Sequence, residues 1–202
     1  MRRPATTSPS SRSDTPEPHL LIRTSPAARY DTRMRPATTD YAPYYDRYVS
    51  LVQGDDVLTA LEQQSAESQK ILASLDETRA DYRYEEGKWS VKEVVGHMLD
   101  SERVFSYRAL AFARGDAGPL PGFDQQVWAD SSSYDRWSVP DLGEEYALLR
   151  RSNVVMFRNF SPDAWERRGV ASDNEVTVNA LVWIIAGHEL HHLGVLRSKY
   201  LV

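Results

Sequence analysis

The sequence predicts an all-α protein, a four-helix bundle that follows a disordered N-terminal extension. Four stretches of about 20 residues carry apolar side chains at helical spacing, and none shows the sustained alternation of a strand. The 202 residues include no cysteine, which excludes disulfides, thiolate metal sites and cysteine nucleophiles. We therefore expect no β-sheet, a disordered segment at residues 1–40 and a bundle domain at residues 41–202.

The extension is rich in Pro, Ser, Thr and Arg, so it offers too little apolar surface to offset the entropy of an ordered chain. It also contains a near-repeat, since MRRPATT at Met1 recurs as MRPATT at Met34. One interpretation is coincidence within a low-complexity tail. We favour another, in which Met34 is the true start and residues 1–33 extend the gene model, because structure-like sequence begins only after Met34.

The first two predicted helices lie at residues 55–75 and 90–114. Ser90 and Glu93 have the S-x-x-E spacing of a capping box, in which two side chains bond the free N–H groups of the first turn. Gly115 ends the second helix. A polar, aromatic linker at residues 80–88 separates the two.

Residues 115–137 form the longest predicted connection, because its glycines and prolines break any period. The part at residues 116–130 is interpreted either as a lid over a site or as an ordinary packed connector. A third helix follows at residues 138–160 with Ser138 as its cap, then a short helical turn at residues 161–165. Thr177 caps the last helix, which is expected to run to about residue 200.

The charge distribution argues against a polyanionic partner. Residues 1–40 hold seven Arg and four acidic residues, so the remainder carries 17 basic against 25 acidic side chains. An acidic body is a poor partner for nucleic acid, whose phosphates supply most non-specific affinity. The apolar run at residues 180–186 is too short to cross a membrane, and no apolar segment of a secretory signal follows Arg2 and Arg3. We expect a cytoplasmic protein.

The last predicted helix contains His-Glu-Leu-His-His at residues 188–192. His188 and His192 are spaced i and i+4, so both face one point, whereas His191 lies about 60° to the side. Neutral imidazole is the commonest nitrogen ligand for zinc, nickel and copper, and two imidazoles leave such a metal under-coordinated. No His, Asp or Glu follows His192, so we expect His97 of the second helix to be the third ligand.

Two carboxylates are candidates for proton transfer beside this metal. Asp100 follows His97 by three residues and is expected to orient that ring or to hold a metal-bound water. Glu189 belongs to an H-E-x-x-H pattern, in which it would act as the general base of a zinc peptidase. The pattern is short, and a zincin takes its third ligand from downstream, where none exists. Another alternative is that the histidines only pack.

Three segments together resemble the DinB/YfiT-like superfamily. Residues 87–105 read GKWSVKEVVGHMLDSERVF, residues 120–124 read LPGFD, and residues 186–193 read AGHELHHL. The resemblance covers about residues 42–202. Its most specific part combines W-S-V-x-E-x-x-x-H-x-x-D with a terminal H-x-x-H-H, and this chain has histidine at both ligand positions of the last helix, as in the YfiT branch.

The resemblance implies a four-helix bundle that forms a homodimer and holds a divalent metal on His97, His188 and His192. Zinc or nickel is expected, although imidazole also accepts manganese and iron. Members include thiol S-transferases that use a low-molecular-weight thiol, and proteins described as metal-dependent hydrolases. The expected function is therefore activation of a thiol or a water molecule against a small-molecule substrate.

The main alternative is a non-catalytic metal-binding or stress-response module. Coordination distinguishes the two, because three ligands open to a pocket favour catalysis and a closed shell of four favours a structural metal. His191 or Asp100 is the candidate fourth ligand. Tyr107 and Arg108 are candidates for binding the carboxylate of a cofactor, and otherwise Arg108 is a solvated or ion-paired side chain.

Overall fold

The structure is a computed structural model that describes residues 34–201. Residues 1–33, and with them most of the predicted extension, lie outside the described residues. In chain order the α-helices are α1 (Asp46–Val49), α2 (Val57–Ala73), α3 (Glu77–Ala80), α4 (Val91–Ala113), α5 (Gln125–Ser131), α6 (Val139–Arg158), α7 (Pro162–Glu166) and α8 (Val178–Val195). Short 3-10 turns occupy Pro43–Tyr45 and Tyr134–Arg136, and a π-helical turn, Leu196–Tyr200, extends α8.

Helices α2, α4, α6 and α8 form the predicted four-helix bundle. Helix α4 packs mainly on α8, and α2 packs mainly on α6. Helix α8 is apolar on all sides and buried through residues 180–186, with Trp183 fully enclosed at its centre. None of the helices in the described chain combines the length and apolar character that a membrane crossing requires. The bundle prediction is confirmed.

The predicted caps explain where three of these helices begin. Ser90 Oγ accepts from Glu93 N at 3.2 Å while Glu93 Oε2 accepts from Ser90 N at 2.7 Å, which completes the capping box. Ser138 Oγ accepts from the backbone N–H three residues on at 3.2 Å, and Thr177 Oγ1 does the same at 3.0 Å. Local side-chain chemistry therefore sets the start of α4, α6 and α8.

The expectation of no sheet is wrong. Strands β1 (Arg168–Ala171) and β2 (Asn174–Thr177) form an antiparallel hairpin between α7 and α8. Ser172 and Asp173 both have positive φ, of 50° and 62°, as a two-residue type I′ turn requires. Strands of four residues are too short to show an alternation that a sequence pattern can detect.

The long connection after α4 is only partly a loop. Helix α5 lies in its second half, where Asp124 Oδ1 accepts from the backbone N–H of Gln126 at 2.8 Å and of Val127 at 3.1 Å. The first half behaves as predicted, and Leu120 forms an isolated bridge to Ala171 of β1. The glycines and prolines that predicted a loop are confined to this first half.

Residues 34–40 are ordered, contrary to the prediction. Residues 34–40 were expected in the disordered extension, yet they lie against the bundle. Arg35 Nη1 donates to the Val49 carbonyl at 2.7 Å, and Asp40 pairs with Arg168 at 2.7 Å. Single polar contacts of this kind leave no periodic pattern in the sequence.

Candidate metal centre

Three histidines from two packed helices converge on one point. His97 lies on α4, and His188 and His192 lie one turn apart on α8. The Nε2 atom of His188 is 3.2 Å from His97 Nε2 and 3.1 Å from His192 Nε2. Ligand atoms of all three lie within 4.8 Å of one another. The structure therefore brings the three predicted metal ligands together.

A glycine precedes two of these histidines, and each glycine admits a close neighbour. A Cβ atom at Gly96 would lie 2.1 Å from the ring of Tyr134. A Cβ atom at Gly187 would lie 2.0 Å from the carbonyl oxygen of Tyr48. The 3-10 turn Tyr134–Arg136 can therefore pack directly on the backbone of α4, and α1 can pack directly on the backbone of α8, beside the histidine cluster.

The three imidazoles are neutral at neutral pH. Burial lowers the pKa of His97 from 6.5 to about 4 and that of His192 to about 3. Burial, reinforced by the neighbouring histidines, also holds the pKa of His188 well below its ordinary value. A neutral imidazole presents a lone pair, which is the form that binds a metal.

The donor set fits a divalent metal. Two bonds from zinc to nitrogen of about 2.0–2.1 Å at a tetrahedral angle separate the ligand atoms by about 3.3 Å, close to the spacing seen here. Ser101 Oγ lies 3.4 Å from Nδ1 of His97. A hydrogen bond from Nδ1 to this hydroxyl leaves Nε2 unprotonated and aimed at the cluster. The ring of Trp89, 5.0 Å away between centroids, packs against His97.

Neither candidate fourth ligand joins the cluster within the described chain. The half-buried ring of His191 packs against Tyr48 with 5.4 Å between centroids. Asp100 Oδ1 accepts from the Tyr134 hydroxyl at 2.8 Å. Asp100 was expected to orient the ring of His97 or to hold a metal-bound water; Ser101 is the residue whose hydroxyl lies beside Nδ1 of His97, and the role of Asp100 toward a metal-bound water stays a prediction.

Glu189 is buried in a salt-bridge network that it forms with Arg150 and Glu102. Its Oε2 accepts from Arg150 Nη1 at 2.6 Å, and its Oε1 accepts from Ser68 Oγ at 2.5 Å and from the Tyr146 hydroxyl. Arg150 also binds Glu102 through Nε and Nη2, at 2.9 and 2.7 Å. The predicted base therefore meets a guanidinium and two hydroxyls, and these contacts favour a structural role.

A cavity of about 220 Å³ opens beside the cluster. His97 and His188 form part of its wall, and Phe123 and Gln125 reach it from the connection after α4. The other residues that line it are Tyr44, Tyr45, Tyr48, Ser101, Phe105, Arg108 and Ser172. The histidines are thus three ligands beside a space that a small molecule can enter.

Sequence reasoning missed Arg150 and Tyr146. A signal for both was present, because Leu142, Tyr146, Arg150 and Phe157 share the buried side of the third helix. A basic residue within a buried stripe indicates a carboxylate partner on another helix. The tyrosines of the N-terminal turn carried no such signal.

Comparisons with known sequences identify a family and several relatives of this chain. The sequence profile of the DinB superfamily matches residues 60–196. A protein of Oceanobacillus iheyensis named "Putative metal-dependent hydrolase OB0413" is 28% identical over 123 residues, which are 60% of this chain and 70% of that protein. "Putative metal-dependent hydrolase YfiT" of Bacillus subtilis is 20% identical over 151 residues, which are 72% and 83% of the two chains.

Solved structures show the same fold. YfiT from Bacillus subtilis, described as a probable metal-dependent hydrolase with an unusual four-helix bundle topology, superposes with a TM-score of 0.63 at 16% identity, over 68% of this chain and 80% of that one. A mycothiol-dependent maleylpyruvate isomerase superposes with a TM-score of 0.57 at 14% identity, over 68% and 58%. Because the profile match extends over more than half of the sequence, the chain belongs to the DinB superfamily.

Proposed function

We propose that this protein is a metal-dependent enzyme that acts on a small molecule, with His97, His188 and His192 as the metal ligands. The observation that carries the proposal is the coordination: three neutral imidazoles converge beside a cavity of about 220 Å³. Catalytic sites keep such an open position, whereas structural sites close with a fourth protein ligand. The names of the relatives support the same conclusion.

A divalent metal held here would lower the pKa of a bound thiol or water and so supply a nucleophile at neutral pH. The chain itself provides the walls of the cavity and orients the metal-ligating imidazoles. The Ser101 hydroxyl lies 3.4 Å from Nδ1 of His97, where it can accept a hydrogen bond and favour the tautomer that leaves Nε2 free, and aromatic rings line the cavity. Burial raises the pKa of Tyr48 to about 12, so its hydroxyl stays protonated and can donate a hydrogen bond but cannot serve as a base.

Two alternatives receive less support. A closed structural site needs a fourth ligand, and neither His191 nor Asp100 contributes one in the described chain. A zinc peptidase needs Glu189 to face the metal, but Arg150 and two hydroxyls hold that carboxylate. The proposal covers both thiol transfer and hydrolysis as the reaction. It covers zinc, nickel, manganese and iron as the metal. A homodimer and a cytoplasmic location stay predictions.

Metal analysis of three proteins purified without a His-tag tests the site. We expect about one metal per chain in the wild type, as the three-ligand donor set implies, and its loss in His188→Ala. His191→Ala is the matched control, because this imidazole lies on the same helical turn and packs 5.1 Å from the ring of His192 between centroids, yet it contributes no ligand atom to the cluster. Circular dichroism should show that all three proteins remain helical, since the bundle has its own apolar core.

Stoichiometric metal in His188→Ala would defeat the site assignment. Absence of metal from the wild type, even after reconstitution, would defeat the enzyme proposal. With metal confirmed, ester hydrolysis and the substitution of an aryl halide by a thiol, which releases halide, separate the two reaction types. Each activity should disappear together with the metal and return when the metal is restored.

A further inference from the structure

Arg108 is a buried cation without a carboxylate partner. Three Lys or Arg residues are buried in the described chain, and Arg108 is only 2% exposed. Lys92 pairs with Glu77 and Asp81, and Arg150 also pairs with two carboxylates. Among the salt bridges of residues 34–201 none involves Arg108. Burial of an unpaired charge is costly, so this arrangement needs an explanation.

The neutral partners of Arg108 satisfy only part of its guanidinium. Nη2 donates to the Pro121 carbonyl at 2.8 Å and to Ser172 Oγ at 2.9 Å. Burial lowers the pKa of Arg108, and a hydrogen bond to the Tyr45 hydroxyl partly opposes this. A guanidinium has five N–H donors in a planar fork that matches a carboxylate, so these three neutral partners leave donor capacity for a ligand.

Arg108 lines the same cavity as His97 and His188 of the cluster. His97, Ser101, Phe105 and Arg108 recur along one face of α4, and all four contact this space. His97 and Arg108 are about 16 Å apart along the helix axis, and the cavity extends between them. The cavity therefore has a metal-ligating end and a cationic end.

We propose that Arg108 binds a carboxylate group of the substrate or of a thiol co-substrate, while the reacting atom lies at the histidine cluster. This inference rests on the proposed function for the reacting end but not for the anion. The cavity volume suits a small organic acid rather than a polymer. A cationic pocket within a chain of net charge -5 also concentrates such anions locally.

The test compares acids with amides of identical length. The probes are ω-mercapto carboxylic acids with about two to six methylene groups and the matching ω-mercapto amides, measured by calorimetry on zinc-loaded and metal-free protein. At the best length, the acid should bind the wild type about tenfold more tightly than the amide, the scale of one charge-assisted contact. Arg108→Gln should reduce that ratio to about one and leave the affinity for the amide unchanged.

Arg103→Gln is the matched control, because Arg103 lies on the same helix but is only half-buried and pairs with Glu145. It should keep the full preference for the acid. Arg108→Lys retains the charge without the planar fork, so the preference should weaken but persist.

A wild type without a preference for the acid, or an Arg108→Gln variant that keeps it, overturns the inference and leaves Arg108 as a tie between the connection and the hairpin. If Arg108→Gln does not fold, an unchanged preference in Arg108→Lys overturns it. A protein that binds no zinc yet shows an Arg108-dependent preference retains the anion site and fails the proposed function. Zinc binding without any preference for the acid would retain the metal site and overturn the anion site.

Discussion

Arg150 and Arg151 are adjacent in the sequence, and their surroundings differ completely. Arg150 is 2% exposed and connects Glu102 to Glu189, whereas Arg151 lies on the solvent side of α6. Two buried carboxylates therefore depend on one guanidinium. At the scale of the residue, partners rather than residue type decide whether a charge stabilises the fold.

Arg150→Met should lower the free energy of unfolding by about 3–5 kcal/mol, because it leaves two buried carboxylates without their counter-ion. Arg151→Met should change it by less than about 0.5 kcal/mol. Urea unfolding of both variants measures the difference. Equal stabilities of the two would show that the buried network contributes nothing to stability.

The histidine cluster makes the stability of the metal-free protein depend on pH. The pKa of His192 is about 3 in the folded chain and 6.5 in an unfolded one. The unfolded state therefore binds a proton first as the pH falls, so stability is complete above pH 6.5 and is lost toward pH 3.

Between neutral pH and a pH of about 4.5, metal-free wild type should lose about 2 kcal/mol more stability than metal-free His192→Ala. Urea unfolding at both pH values gives the comparison, in which titration of the surface carboxylates is common to the two proteins. The same loss in both proteins would mean that His192 titrates normally.

At the scale of the element, α8 carries two glycines with opposite surroundings. The backbone at Gly187 contacts the Tyr48 carbonyl so closely that no Cβ fits. Gly194, two turns later, has nothing within 4 Å of an added Cβ. Close approach at the first glycine lets α1 lie over the histidines.

Gly187→Ala should cost about 1–3 kcal/mol and lower the melting temperature, because the added methyl group displaces α1. Gly194→Ala should instead stabilise the protein by up to about 1 kcal/mol, the difference in helix propensity. Thermal unfolding followed by circular dichroism compares them. A stabilised Gly187→Ala would show that α1 does not pack as described.

At the scale of the whole molecule, the contacts of residues 34–40 join this segment to the bundle. Arg35 bonds the end of α1, and the Asp40 carbonyl accepts from Thr177 N at 3.0 Å in front of α8. These contacts connect the first described residues to the end of α1 and to the start of α8.

Removal of residues 1–33 should leave the melting temperature nearly unchanged, as their low-complexity composition predicts. Removal of residues 1–40 should lower it by about 4–8 °C, because hydrogen bonds worth about 2 kcal/mol in total disappear. Differential scanning calorimetry of the two truncated proteins distinguishes the boundaries. Equal melting temperatures would restore the domain boundary predicted at residue 40.

The sequence predicts those features that local chemistry determines. Caps at Ser90, Ser138 and Thr177 and the i, i+4 pair on α8 depend on neighbours within one turn, and the structure confirms them. The pairing of Arg150 depends on how each helix is rotated in the bundle, which periodicity gives only coarsely. The hairpin and α5 were missed because both are too short for a period.

Arg150 also has a consequence for how the protein unfolds. It projects from α6, binds Glu102 of α4 and Glu189 of α8, and donates to the Leu61 carbonyl of α2 at 3.2 Å. One side chain thus contacts every helix of the bundle. Detachment of α4, α6 or α8 would leave a buried charge of this network without its partner, so partial opening is costly. The four helices should therefore behave as one cooperative unit, and the histidine cluster that they hold should persist until the whole bundle gives way.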